Sequence, residues 1–155
     1  MSCTHHCIEH LVYQYASAID RGDFDTLGAL FTQGSIIYMP GSWQIKGAKN
    51  VVNHFTKTVK IYPETGTPCT MHQVTNIDVV IDDSGKRATA NAVFVVHQAV
   101  PDEPIKLICT GRYFDRFNFD GTHWYFSERR VMPEYFGDLS QHIYEEQDLS
   151  VLKSV

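Results

Sequence analysis

Asp20 and His72 are the two residues whose types could do chemistry together. Asp20 closes the stretch Tyr15-Ala16-Ser17-Ala18-Ile19-Asp20, just before Arg21-Gly22-Asp23-Phe24. His72 lies in Thr70-Met71-His72-Gln73-Val74-Thr75-Asn76. A carboxylate that holds an imidazole in an apolar cup fixes its tautomer and stabilises the imidazolium, which makes a general base. An Asp beside Arg21-Gly22 is also a natural turn former. The helix dipole disfavours a carboxylate at a helix C-terminus, and that tilts Asp20 toward a role beyond the turn. Tyr15 sits about one turn earlier on the same helix. It is either a hydroxyl donor to a substrate carbonyl or an ordinary core aromatic.

The elements that must position these residues follow from periodicity. Ile8, Leu11, Val12, Tyr15 and Ile19 recur at helical spacing, which predicts an amphipathic helix from about residue 5 to 20. Gly22 breaks it, and Asp23 caps a short helix that carries Phe24, Leu27, Leu30 and Phe31. Ser35–Met39 and Trp43–Ile45 read as a small hairpin around Pro40-Gly41, and 48–59 as a third helix. Tyr38 and Trp43 are candidate pocket walls and substrate contacts. Residues 70–81, 87–100, 105–117 and 123–132 read as four long strands. The predicted class is α+β, three N-terminal helices packed on a strongly curved mixed or antiparallel sheet, in one domain over 1–155. The tail after Tyr135 reads as a short helix or arm.

Turn length sets a register. Pairing Asp82 with Arg87 across Asp83-Ser84-Gly85-Lys86 places His72 opposite His97, Val74 opposite Val95 and Asn76 opposite Val93. His97 is then a second catalytic candidate and Asn76 a substrate contact on the same face. A tight turn at Asp120-Gly121 places Arg112 opposite Arg129 and Gly111 opposite Arg130. Two facing arginines need an anion, supplied by a substrate carboxylate or by an acid such as Glu128 or Asp115. Arg130 is the candidate substrate-binding arginine, and Arg112 reads as part of a solvated face.

Bulk properties exclude several classes. The chain has 155 residues, a formal net charge of −5 and no basic run, which argues against nucleic acid and acidic membranes as partners. No apolar stretch has the length of a membrane span and no signal peptide is visible, so a cytoplasmic location is expected. The four cysteines do not form a secreted-type framework and read as reduced thiols. Cys3, His5, His6, Cys7 and His10 cluster near the N-terminus, but their spacing matches no standard zinc pattern, so no metal is expected.

The segments YASAIDRGDFDTLGALF, MHQVTN, GRYFDRF, DGTHWYFSERRV and the tail Gly137-Asp138-Leu139-Ser140 resemble, in order, a SnoaL-like domain of the NTF2-like superfamily. Within it the chain is similar to dehydratases and lyases of the scytalone dehydratase and bile-acid 7α-dehydratase type. In these an Asp before the first helix break pairs with a His at the start of the long strand, which Asp20 and His72 match. The resemblance also supports Tyr15, His97 and an arginine near the last strand, either Arg129 or Arg130, and it implies a homodimer. It implies a cofactor-independent lyase of dehydratase type, acting on a small apolar oxygenated metabolite by Asp–His proton transfer. An isomerase or cyclase of polyketide or steroid-like substrates uses the same chemistry. The rival class is a binding or structural module, such as the β subunit of a ring-hydroxylating dioxygenase. A hydrolase would need a further pocket carboxylate. The apolar set Ile77, Val79, Ile81, Ala88, Ala90 and Ala92 reads either as a dimer face or as packing under the helices.

Overall fold

The computed structural model describes residues 4–144. Helix α1 (Thr4–Asp20) buries Ile8, Val12, Tyr15 and Ile19, the stripe that helical spacing demands. It ends in a left-handed cap: Gly22 has φ +67°, its N–H donates to the Ile19 carbonyl at 2.8 Å, and the Asp23 N–H donates to the Ala18 carbonyl at 2.9 Å. That cap makes Asp20 the last helical residue. Asp23 then accepts from the Thr26 N–H at 3.1 Å and starts α2 (Phe24–Ala29).

Strands β1 (Ser35–Tyr38) and β2 (Trp43–Lys46) form the small hairpin, followed by α3 (Ala48–Thr58). Strands β3 (Thr70–Ile81), β4 (Arg87–Gln98), β5 (Lys106–Phe119) and β6 (Trp124–Phe136) form the antiparallel meander. The sheet order is β2-β1-β6-β5-β4-β3, with β1 parallel to β6, so the hairpin extends the meander into one six-stranded mixed sheet. The fold is α+β, with three helices on a curved sheet. Ala88, Ala90 and Ala92 are buried beneath them, and Ile77, Val79 and Ile81 pack against the same core. All six lie on the helix-facing side of the sheet, the second of the two readings for this set. Among the described residues no helix is long and apolar enough to cross a membrane.

Two registers differ from the turn-based expectation, one through a bulge and the other through a longer turn and a bulge. The β3–β4 pairing starts as expected from the turn, with Ile81 opposite Ala88 and Asp78 opposite Asn91. A β-bulge between Thr75 and Asp78, with Asn76 at φ +53°, then inserts one extra residue into β3. Beyond it His72 faces Val96, Met71 faces His97, and Thr75 faces Val93. Because side chains alternate with a period of two, the slip sends His97 to the opposite face from His72. The β5–β6 turn is also longer than read: Asp120 accepts the N–H groups of Thr122 and His123, each at 2.8 Å, and Phe119 pairs with Trp124. With a further bulge between Arg116 and Phe117, Arg129 lies opposite Asp115, Arg112 opposite Met132, and Gly111 opposite Pro133. No two arginines face each other there. Asp115 is the acid that answers Arg129.

Candidate active site

The α1 cap and the first residues of β3 bring Asp20 and His72 into direct contact. His72 Nδ1 lies 2.6 Å from Asp20 Oδ1. The Thr70 hydroxyl donates to the same oxygen at 2.8 Å, and the His72 backbone N–H donates to Oδ2 at 2.8 Å. Both carboxylate oxygens are therefore engaged, and the imidazole is held at one nitrogen by a side chain and through its own backbone. A carboxylate bonded to Nδ1 selects the tautomer with the proton on Nδ1 and the basic lone pair on Nε2.

His72 opens onto a cavity of about 480 Å³, a size that suits a small organic molecule. Its walls are mostly apolar and aromatic: Phe94 and Tyr113 stack at 4.6 Å, and Tyr38 stacks on Trp43 at 5.5 Å. Among the described residues, none that lines it is Lys or Arg. The polar groups in the described lining are phenols, imidazoles, the Trp43 indole N–H, the Thr58 hydroxyl and the Cys109 thiol. Burial pushes the Tyr15 hydroxyl up to about 12, opposed by the nearby Arg129. Burial also raises Tyr38 and Tyr113 well above the ordinary phenol range, so all three stay protonated at neutral pH. The Cys109 thiol in the wall is pushed up by burial to about 12, which leaves no thiolate for nucleophilic chemistry.

The expected site residues separate into two groups. Asp20 and His72 meet, and Tyr15, Tyr38 and Trp43 line the same cavity as His72. His97, Asn76 and Arg130 do not. His97 is carried to the outer face by the bulge, and Asn76 is the exposed left-handed residue of that bulge. Arg130 alternates outward on β6 and pairs with Glu128. The inward arginine is Arg129, fully buried behind the cavity wall. It forms a two-pronged ion pair with Asp115 at 2.9 and 2.6 Å. Its guanidinium lies between the rings of Tyr15 and Tyr113, 4.1 and 3.9 Å from their centroids. Of the N-terminal cluster, Cys3 lies outside the described residues. Among those described, no group of three or more His, Cys, Asp or Glu side chains is arranged to hold a metal.

Two histidines of the cavity wall escaped the sequence reading. His54 on α3 has its Nε2 3.4 Å from the Tyr38 hydroxyl and its Nδ1 3.3 Å from the Thr58 hydroxyl. Its spacing with Val51, Phe55 and Thr58 is that of one helix face, a signal that was available. His142 lies beyond the last strand, in a segment without periodicity, and nothing local marks it. Burial lowers both from the ordinary 6.5 to about 4; for His142, His72 lowers it further and Asp20 opposes.

The sign of that shift sets a pH dependence. The unfolded chain takes up protons near pH 6.5 while the folded imidazoles stay neutral to about pH 4. Their contribution is intact above pH 6.5 and is lost as pH falls toward 4. Lowering the pH from 7 to 5 is expected to cost about 2 kcal/mol through His142. The variant His142→Asn should lose correspondingly less over the same interval, as read by urea unfolding at the two pH values. Equal losses in both proteins would contradict a neutral, buried His142.

A family described as a SnoaL-like domain matches residues 2–130. No curated protein matches the chain at a significant level. Among solved structures, a protein of unknown function from Mycobacterium tuberculosis is similar at 20% identity and TM-score 0.69, over 96% of this chain and 82% of that one. A candidate scytalone dehydratase from Novosphingobium aromaticivorans is similar at 21% identity and TM-score 0.66, over 86% of each chain. The β subunit of a candidate aromatic-ring-hydroxylating dioxygenase from the same organism is similar at 16% identity and TM-score 0.66, over 88% of this chain and 94% of that one. At these identities the structural likeness speaks for the fold alone.

Proposed function

The chain belongs to the SnoaL-like domain family, and we propose that it is a cofactor-independent lyase of the dehydratase type. Its substrate is a small, uncharged, oxygenated and largely apolar metabolite. The observation that carries this reading is the 2.6 Å contact between His72 Nδ1 and Asp20 at the edge of a largely apolar, aromatic cavity. His72 Nε2 removes a proton from carbon next to a substrate carbonyl. The electron pair moves to the carbonyl oxygen as an enolate, and its collapse expels the β-hydroxyl, which leaves as water with the proton that His72 Nε2 gives back. Protonated phenols line the cavity, Tyr15 and Tyr38 among them, and supply donors for the oxyanion in this reading. The apolar and aromatic walls favour a largely apolar, uncharged substrate.

Isomerisation and cyclisation share the first step and differ only in what the enolate does next. Exchange of the α-proton therefore tests the shared chemistry directly. The protein is incubated in D₂O with 2-tetralone, 4-chromanone and their β-hydroxy analogues, and deuterium uptake and water loss are followed by NMR. Catalysed exchange, with elimination from a hydroxylated analogue, is expected. Binding of these ketones with no exchange would favour the rival reading, a ligand-binding or structural module. That reading draws on the likeness to a dioxygenase β subunit and on the outer sheet face, which exposes Met71, Leu107 and Phe114. A homodimer through that face and a cytoplasmic location belong to the same proposal. Light scattering of the purified chain reads the first.

A further inference from the structure

After β6 the chain turns back across the cavity instead of leaving it. The Gly137 N–H donates to the Ile108 carbonyl at 2.9 Å, the Lys60 N–H donates to the His142 carbonyl at 2.8 Å, and the Tyr144 N–H donates to the Thr58 carbonyl at 3.1 Å. Val59 and Ile143 form a β-bridge. The Gln141 carbonyl accepts from the Tyr62 hydroxyl at 2.7 Å and from Gln98 Nε2 at 3.1 Å. This strap is tied to the end of α3, to the loop after it and to the end of β4. Leu139, His142 and Ile143 form its cavity face.

His142 is thus held by backbone on both sides, in the same cavity as His72. Its Nδ1 is buried and has no hydrogen-bond partner. A buried N–H without an acceptor is rarer than a buried acceptor without a donor. The tautomer that fits keeps a lone pair on Nδ1 and the proton on Nε2, and the residue lines the cavity. His72 and Asp20 are the ionisable groups that act on this ring, so it stands within reach of the dyad's field. A neutral imidazole in an apolar site is a hydrogen-bond donor that does not give its proton away, which suits it to a developing enolate oxygen.

We propose that His142 binds the substrate's carbonyl oxygen and stabilises its enolate by a hydrogen bond from Nε2–H, while His72 takes the α-proton. This rests on the lyase reading for its reaction but not for its contact. In the step, the Cα–H bond breaks and the proton goes to His72 Nε2. The C–H electron pair forms the enolate C=C, and the carbonyl π pair becomes the oxygen lone pair that His142 faces. No proton leaves His142 and no co-reactant is needed.

The test pairs two probes of one shape: 2-tetralone, a neutral ketone, and 2-naphthol, which mimics the enol and enolate. Binding of each is titrated by fluorescence to the wild type, His142→Leu and His142→Gln. His142→Leu is expected to weaken 2-naphthol about 10- to 100-fold, on the scale of one lost hydrogen bond to a charged group, and 2-tetralone only a few-fold. It should also lower kcat for α-exchange about 100-fold with KM nearly unchanged. His142→Gln, whose amide can donate, should recover part of both losses. Equal effects on the two probes, or no effect on either, overturn the proposal, as does a wild type that binds neither. A wild type that discriminates the probes through His142 but exchanges no proton sinks the lyase reading alone.

Discussion

Replacing His72 with Ala is expected to lower α-proton exchange by about 10²- to 10⁴-fold, the range for loss of a positioned general base. The melting temperature should stay close to that of the wild type, because the side chain faces a cavity more than a packed core. Asp20→Asn is the sharper experiment. The change is nearly isosteric, and the carbonyl oxygen of Asn can still accept from the His72 backbone N–H or the Thr70 hydroxyl. What it cannot do is accept from Nδ1–H if its amide group faces the ring. The imidazole then takes the opposite tautomer, with its proton on Nε2 and no lone pair for the substrate. A loss of about 10³- to 10⁴-fold in kcat is expected, with KM for 2-tetralone within a few-fold. Full exchange activity in either variant would remove the dyad from the mechanism.

The largest effect on stability is expected at Arg129. Its ion pair with Asp115 is fully out of water, at 0% exposure of both side chains. Burial pushes the Asp115 carboxyl upward, and Arg129 opposes that shift. Removing one partner leaves the other charge buried and unanswered, which costs about 3–5 kcal/mol. Arg129→Met or Asp115→Leu alone should therefore lower the melting temperature by roughly 10–15 °C. The double variant Asp115→Leu/Arg129→Met replaces the pair with apolar volume and should regain most of the loss. Single variants that cost less than about 1 kcal/mol in urea unfolding would show that the pair is not desolvated as its burial implies. Cavity affinity should fall in the single variants too, because the guanidinium is clamped between Tyr15 and Tyr113, both of which line the cavity.

How far the site was legible follows from what each signal measures. Helical spacing from Ile8 to Ile19, with the break at Gly22, placed Asp20 at a helix end, and the cap hydrogen bonds put it there. The strand boundaries of β3 match the reading at both ends. Those features are local, and local chemistry determines them. The partner of His72 across the sheet is not local: it depends on a count of residues between the turn and position 72, and one bulge alters the count. Nothing before Asn76 announces the bulge, although Asn is a residue that tolerates its left-handed conformation. The same arithmetic misplaced the partners of Arg129 and Arg130, because the Asp120–His123 turn holds more residues than the Asp120-Gly121 pair implies and a bulge between Arg116 and Phe117 adds one more. His54 was recoverable from helix geometry. His142 was not, because its place depends on where a return strap lands, and that is decided by contacts with Thr58, Lys60 and Tyr62 about 80 residues earlier in the chain.

The bulge in β3 also divides that strand's vulnerability to change. On the turn side of Asn76 the odd-numbered residues Ile77, Val79 and Ile81 face inward, and on the far side the even-numbered His72 and Val74 do. Deleting one residue at the bulge would leave the turn-side half in frame and turn the other half over. His72 would then leave the cavity while His97 stayed outside. Substitutions, by contrast, can accumulate on either side without disturbing the other. A lineage could thus redesign the chemistry at one end of this strand while its foundation at the other end stays unaltered, provided the single supernumerary residue between them is kept.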